Sequence, residues 1–408
     1  MPKDLTPARR PFVLAPFRGL RFDPETVGDL STVISPPYDV LDADTVRTLE
    51  SANRHNIVRL ILSRRFERPY LAVRDRLEKW RNKSYLRADD QPALYLYEYT
   101  AEQITVRGLI GLVGLREEGE KVILPHEDVM PGPVDDRTVL MRTTETNLEP
   151  ILLVHEGTDR LRALVDDATA ERPLADFVAL DGSAHRLWAV TATCAQAEIA
   201  TELAGTEALI ADGHHRYAAY LRLQRELRGD GTPAEASPWD YGLAMLVDQH
   251  DQALRVGPIH RSVADLTMRD LQDVADERGD HLSFQADREA AFAALAAAHD
   301  ERAWFVISDG HAWALLGVDR THHVDAAVLH ETLLPAWRIA EEQVGYHHSL
   351  DQALHATTRA AALVVAVRPP TVQDVRDSAA RGVRMPRKST SFGPKPRMGV
   401  VMRDLRDA

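Results

Sequence analysis

The run EALIADGHHRYAAYLRLQREL, residues 207–227, joins a short apolar stretch to a long amphipathic one through a single glycine. Ala208 to Ala211 are apolar and lead into Asp212, the pattern of a short buried strand. Gly213 permits a tight turn. From His214 onward, Tyr217, Tyr220, Leu221 and Leu227 suit one buried face of a helix, so the run reads strand, turn, helix. Asp212, His214, His215 and Arg216 therefore crowd a helix start. The first turn of a helix leaves backbone N–H groups without intrahelical partners and carries partial positive charge. Two histidines and an arginine are unfavourable there unless an anion sits on the helix end. Arg216 would add a two-pronged contact to a phosphate. A conflict of this kind between local preference and sequence tends to mark a functional site. In a blander reading, Asp212 caps the helix and pairs with Arg216 while the histidines satisfy carbonyls. Metal ligation by the pair is disfavoured, because adjacent histidines cannot easily reach one ion from a helix start.

Outward from this junction the elements alternate. Asp42 or Asp44 is placed to cap a helix running to about Asn53. IVRLIL, residues 57–62, reads as a buried strand, and Pro69 to Lys83 as an amphipathic helix. ALYLYEYT (93–100) and VRGLIGLVGL (106–115) read as paired strands. Gly108, Gly111 and Gly114 in the second of these match no nucleotide-binding fingerprint, which needs a strand, a turn and a helix. Leu124 to Arg137 reads as a loop whose prolines and glycine exclude a continuous helix. Strand, helix and strand follow at 150–154, 159–167 and 186–191. After the helix that ends near Leu227, residues 229–238 read as a flexible loop, and Tyr241 to Asp248 as a strand. Further on come a helix at 290–299 and a hairpin of 304–308 with 312–318. The tail offers a strand, a helix opened by Pro370 and Thr371, a polar loop and a last short strand. No internal repeat is present. The fold class is α+β with mixed sheets. The expected organisation is one unit over residues 1–408, with lobes at 1–155, 156–262 and 263–408.

Composition narrows the function. The chain has 408 residues, 44% of them hydrophobic, enough for a sizeable core. A net charge of −13 argues against nucleic-acid binding, which needs a basic footprint. The single Cys194 excludes an internal disulfide and a cysteine-built zinc site. No apolar stretch approaches the roughly 20 residues that a membrane helix needs. The start lacks the apolar core of a signal peptide. A soluble cytoplasmic protein without membrane or nucleic-acid partners is expected, and self-association into a homo-oligomer is compatible with it.

Two further constellations suit phosphate chemistry. In HEDVMPGPVDDR, His126 and Glu127 form an adjacent acid and base, with Asp135, Asp136 and Arg137 downstream. A carboxylate such as Glu127 or Asp212 could orient or deprotonate a hydroxyl. In RMPRKSTSFGPKPR, Arg384, Arg387, Lys388, Lys395 and Arg397 surround the hydroxyls of Ser389 and Thr390. This is a local basic site in an acidic protein, and it suits a polyphosphate with Mg²⁺. Asp39 and Asp248 each end an expected strand and could help hold Mg²⁺, against the plainer role of turn aspartates. His347 and His348 before a helix capped by Ser349 or Asp351, and His260 with Arg261, are weaker anion candidates.

ADGHHRYAAY resembles the GxHR-type phosphate-binding turn of the ParB/sulfiredoxin superfamily, which includes the free serine kinases. No cysteine occupies the turn, which speaks against sulfiredoxin chemistry, and Asp212 resembles the kinase version. The wider chain is similar to the domain of unknown function 1015 family through APFRGLRF, VISPPYDVLD, LPHEDVMPGPVDDR, ADGHHRYAAY and MPRKSTSFGPKP, from Ala15 to about Val401. Arg387 and Ser391 depart from the family pattern at the edge of the basic loop. The resemblance implies a ParB/sulfiredoxin-like phosphate-binding core with α/β elaborations. It also implies phosphorylation of a small hydroxylated metabolite, foremost free L-serine, with pyrophosphate or a nucleotide as donor and Mg²⁺ as cofactor. Gly213, His214, His215, Arg216, Arg137, Lys388, Ser389, Thr390 and Lys395 are the expected phosphate contacts, with Asp212, Glu127 and His126 as catalytic groups. A phosphatase in the same pocket and a non-catalytic nucleotide-binding protein are the alternatives.

Overall fold

Leu94–Ala101 and Ile104–Gly114 form an antiparallel pair, with Tyr95 opposite Ile110 and Ala101 opposite Ile104. They are central to a computed structural model that describes residues 9–62, 68–101, 103–228, 237–251, 254–299, 301–322, 324–357 and 362–407. The expected loop at 229–238 lies, through residue 236, outside the described residues. The chain divides into two compact units. One comprises Met1–Pro125, Val129–Leu254 and Pro394–Ala408, the other His126–Asp128 and Arg255–Gly393. Neither 155 nor 262 is a boundary between them. The fold class is α+β with several sheets. No helix among the described residues is long and apolar enough to cross a membrane.

In the first unit the large sheet runs Ile123–Leu124, Ala208–Asp212, Ile151–His155, Tyr241–Asp248, Ile104–Gly114, Leu94–Ala101, Ala184–Val190, Ala175–Val178. Leu14–Ala15 adds to Ile104–Gly114. Ala208–Asp212 is antiparallel to Ile151–His155, with Asp212 opposite Leu152 after a slip in register. Tyr241–Asp248 is parallel to the same strand, with Asp248 opposite His155. The helix His214–Leu227 packs Tyr217, Ala219, Tyr220 and Leu223 into the core with Ile151, Leu153 and Ile210. A smaller sheet joins Leu86–Ala88, Gly19–Phe22, Met402–Asp404 and Thr146–Asn147, which fixes the end of the chain in this unit.

Two expectations are corrected here. IVRLIL is not a strand: Val58–Ile61 is a helical turn, with Val58, Leu60 and Ile61 buried. A short run that is apolar on every side fits a buried strand or a buried helical turn equally well. Asn56 settles it locally, because its side chain accepts the Val58 N–H and donates to the carbonyls of Thr32 and Ile34. Leu124–Arg137 is likewise not all loop, since the helix Pro131–Thr144 begins inside it. Pro131 and Pro133 lie in the first turn, where the missing N–H groups would have no intrahelical partner anyway.

In the second unit an antiparallel sheet runs His281–Gln285, Trp313–Asp319, Arg302–Ser308, Ala362–Val367, His260–Ala264, Val344–His347. One apolar cluster gathers Leu271 and Ala275 of the helix Met268–Arg278 with Phe305 and Val365. The other gathers Ala291 and Leu295 of the helix Arg288–Ala297 and Ala353 of the helix Leu350–Thr357 with Val306, Trp313 and Val364. The expected hairpin and the expected helix after Thr371 are both present, the latter as Val372–Ala380 with Thr371 as its cap. Arg255–Gly257 pairs with Ser391–Gly393.

Candidate functional site

The strand Ala208–Asp212 ends in a turn at Gly213, whose φ of +97° is a left-handed conformation, and the helix begins at His214. A Cβ on Gly213 would meet Ile151 Cγ2 at 2.8 Å and Arg216 NH2 at 3.1 Å. Gly213→Ala is expected to cost about 2 kcal/mol or more, from left-handed strain plus that clash, read as a lowered urea midpoint. Asp212 does not cap the helix, and the N-cap residue is Gly213, which has no side chain to do so. The pairing with Arg216 does occur, at 2.5 Å from Asp212 Oδ2. The other oxygen, Oδ1, holds Lys395 Nζ at 2.6 Å. Lys395 follows Pro394, whose carbonyl accepts the Tyr99 hydroxyl at 2.6 Å.

The charges continue inward. Arg216 NH1 donates to the Pro150 carbonyl and lies 3.7 Å from Glu149 Oε2. Glu149 Oε1 lies 3.4 Å from Arg137 NH1, and Arg137 pairs with Asp136 at 2.6 Å. Asp136 accepts the Tyr70 hydroxyl at 2.7 Å, and the Arg137 guanidinium lies 4.9 Å from the Tyr38 ring centroid. The expected outward fork of Arg216 onto a phosphate is therefore not what its NH groups do here. They hold Asp212 and Pro150. Burial pushes the Asp212 carboxyl up, but the Lys395 ammonium and the Arg216 guanidinium outweigh it and hold the carboxyl below its ordinary value. Arg216 is itself raised, as Glu149 and Asp212 overcome its burial. The result is an ionised carboxylate, 22% exposed, fixed between two cations beside a helix start whose N-cap is a glycine. His215 Nε2 accepts the Met130 N–H at 3.1 Å, which directs its neutral-form proton to Nδ1. His214 is buried beside it.

In the second unit, Glu127 organises the basic loop. Its Oε1 accepts the backbone N–H of Ser389 at 3.1 Å and of Thr390 at 3.2 Å, and the Thr390 hydroxyl at 3.0 Å. His126 Nε2 contacts the same hydroxyl at 2.8 Å. The Ser389 hydroxyl donates to Pro386, and the Arg384 guanidinium to the Glu127 carbonyl. Lys388 adopts a φ of +54° and holds its ammonium 5.3 Å from the Tyr346 ring centroid. Burial raises the Glu127 carboxyl, and the hydrogen bonds from Thr390 and Ser389 only partly offset this. A raised carboxyl favours the protonated form in the fold. Its contribution to stability is then largest below the unfolded value of about 4.3 and falls as pH rises through the folded value. Glu127→Gln is expected to melt no lower than wild type at pH 7.5, with any advantage gone at pH 4.

Asp248 is not brought to the Gly213 turn. It lies opposite His155, whereas Asp212 lies opposite Leu152, about 10 Å away along the strand. Its oxygens hold Arg162 at 2.6 Å and the His250 N–H at 3.0 Å. Asp39 lies in the 3₁₀ turn Tyr38–Val40, and its side chain is outside the described residues. His347 bonds Ser262 at 2.8 Å and His348 lies 3.2 Å from Ser391 Oγ. Arg261 donates to the Ile259 carbonyl and to His330. Among the described residues, no three His, Cys, Asp or Glu side chains group closely enough to hold a metal. Glu149, Tyr99 and Tyr38 belong to this site without standing out in the sequence motifs. Glu149 had one signal, a lone acid in the otherwise apolar run LEPILLV at 148–154.

The family model described as "Protein of unknown function (DUF1015)" matches residues 14–338. No curated protein matches the chain. Among solved structures, a mutant free serine kinase in complex with ADP is 14% identical, with a TM-score of 0.38 over 69% of this chain and 88% of that one. C-terminally truncated SbnI from Staphylococcus aureus is 10% identical, with a TM-score of 0.37 over 71% and 84%. A conserved hypothetical protein from Pyrococcus furiosus is 15% identical, with a TM-score of 0.36 over 70% and 93%.

Proposed function

The chain belongs to the DUF1015 family, and we propose that it is a phosphotransferase acting on a small hydroxylated metabolite, with pyrophosphate or a nucleotide as donor. Free L-serine is the acceptor that the family resemblance implies. One observation carries the reading: the ionised Asp212 between Lys395 and Arg216, beside a helix start whose N-cap is a glycine. Each carboxylate oxygen keeps a second lone pair, so Asp212 can accept a substrate hydroxyl without releasing either cation. The backbone N–H groups of the first helical turn, with His214 and His215, would receive a phosphate. Lys395 would neutralise charge between the two. Arg216 holds the carboxylate in place. The substrate oxygen attacks phosphorus, the bond to the leaving phosphate oxygen breaks, and the hydroxyl proton departs by way of Asp212. Phosphoryl transfer asks for this positioning and charge neutralisation more than for covalent chemistry.

Mg²⁺ belongs to the proposal as an ion carried by the donor's phosphates, since such ions keep several waters and take few protein ligands. Asp212 would be the carboxylate to meet it. In the second unit, Glu127 already takes the Ser389 and Thr390 N–H groups and the Thr390 hydroxyl, so Lys388 would be the group of that loop to meet an anion. The test is ³¹P NMR of the protein with L-serine and Mg²⁺, giving pyrophosphate, ADP or ATP one at a time. A phosphoserine signal with one donor is expected. Orthophosphate alone would replace this reading with a hydrolase, and nucleotide binding without turnover with a regulatory protein.

A further inference from the structure

In the second unit a cavity of about 400 Å³ is lined by His260, Arg288, Glu289, Phe292 and Leu350. Volumes of this order hold small molecules. Phe292 and Leu350 supply an apolar wall continuous with Leu295, Trp313 and Ala353. His260 stands on the strand His260–Ala264 and is 7% exposed. Its Nδ1 accepts the Val367 N–H at 3.4 Å, which leaves the ring proton on Nε2. No acceptor for that proton stands among the described residues. Burial, with Arg261, His347 and Arg288 nearby, brings the ring down to about 4, so it is a neutral donor at pH 7. Arg288 and Glu289 open the helix Arg288–Ala297, and Leu350 opens the helix Leu350–Thr357. Both helix starts are already capped, one by Asp287, which accepts the Ala290 N–H at 2.9 Å, and one by Ser349, which accepts the Gln352 N–H at 3.2 Å. Arg288 NH1 ties them together through Asp351 at 2.8 Å.

We propose that this cavity binds a free α-amino acid with an apolar side chain. The ligand carboxylate meets the His260 Nε2–H. Its ammonium meets Glu289, and its side chain packs on Phe292 and Leu350. A bare anion suits the cavity less well. Its one guanidinium is already paired with Asp351, and Glu289 adds a negative charge. A zwitterion uses both signs. None of these residues takes part in the proposed phosphoryl transfer, so the two readings stand or fall separately.

The test is calorimetric titration of the full chain with L-leucine, L-asparagine, 4-methylpentanoate and 3-methylbutylamine. Leucine is expected to bind, and each fragment lacking one charge to bind about 10-fold more weakly or worse, as for a lost charge-assisted hydrogen bond. Glu289→Gln should weaken leucine by about 10-fold and leave 4-methylpentanoate unchanged. His260→Phe should weaken both. Since His260 is buried, that variant is read only alongside its melting curve, whereas Glu289 is exposed and its variant stands alone. Failure of leucine to bind at millimolar concentration would overturn the proposal. So would 4-methylpentanoate or asparagine binding as tightly as leucine, or an unchanged leucine affinity in Glu289→Gln.

Discussion

Asp212→Asn is expected to lower the rate of L-serine phosphorylation by about 10³-fold, the range in which a positioned proton acceptor acts. The carboxylate has two neighbours that can only donate, Lys395 on one oxygen and Arg216 on the other. Asparagine offers one acceptor atom and one donor group in the same place. Whichever way the amide turns, its NH₂ faces a cation, and one of the two contacts is lost. The substrate hydroxyl loses its anionic acceptor at the same time. The cost should therefore fall mainly on kcat, with the phosphate contacts at the helix start kept. A loss confined to KM would mean that Asp212 only helps binding, and a variant as active as wild type would remove it from the mechanism. The pH profile separates this from a histidine base. Asp212 is held below the ordinary carboxylate value, so it sets no acid limb near neutrality. An acid limb near pH 6.5 that survives in all donor mixtures would assign the proton transfer to a histidine such as His214 or His215.

The parts of the fold that could be read from sequence are those whose signal is local. The helix His214–Leu227 was legible because a glycine turn, an apolar run before it and helical spacing after it all agree. The pairing of 94–101 with 104–114 was legible because two runs of strand-forming residues are separated by a short turn. Val58–Ile61 was misread because an unbroken apolar run has no period. The start of Pro131–Thr144 is not legible, because proline breaks a helix interior but suits the first turn, and local sequence does not separate the two positions. At the site, Asp212 and its turn stood out by the clash of charge with helix polarity. The direction in which Arg216 points did not, since a guanidinium at a helix start can reach outward to a ligand or back to Asp212. Glu149 tips that choice, and its approach to Arg216 depends on the register of Ala208–Asp212 with Ile151–His155. The contact of Lys395 with Asp212 likewise depends on the chain end joining Gly19–Phe22 and Thr146–Asn147 in the smaller sheet. Such long-range pairings leave no mark on local spacing.

Arg216→Ala is expected to destabilise the protein by about 3–5 kcal/mol, the loss typical of removing one partner from a buried ion pair. Arg216 sits between Asp212 and Glu149, with Lys395 beyond the first and Arg137 beyond the second. With Asp136 at the inner end, three cations alternate with three carboxylates. Taking out the central cation leaves an uncompensated negative charge in a largely buried row, and it removes the donor to the Pro150 carbonyl. Arg216→Lys keeps the charge but not the fork, so it should recover only part of the loss. The decisive comparison is a double-mutant cycle. Glu149→Leu alone should also destabilise, because it leaves Arg216 and Arg137 facing each other across an apolar side chain. Arg216→Met with Glu149→Leu removes one charge of each sign and restores the balance, so the double variant should be more stable than the sum of the singles by at least about 1 kcal/mol. Urea denaturation of wild type, Arg216→Met, Glu149→Leu and the double variant at pH 7 reads the coupling directly. Strict additivity would show that the two residues do not share a pair energy, and the row would then be a set of independent contacts with no influence of Glu149 on the carboxylate at Asp212. A positive coupling, together with loss of phosphoserine formation in the well-folded double variant, would show that the buried row holds Asp212 where the reaction needs it.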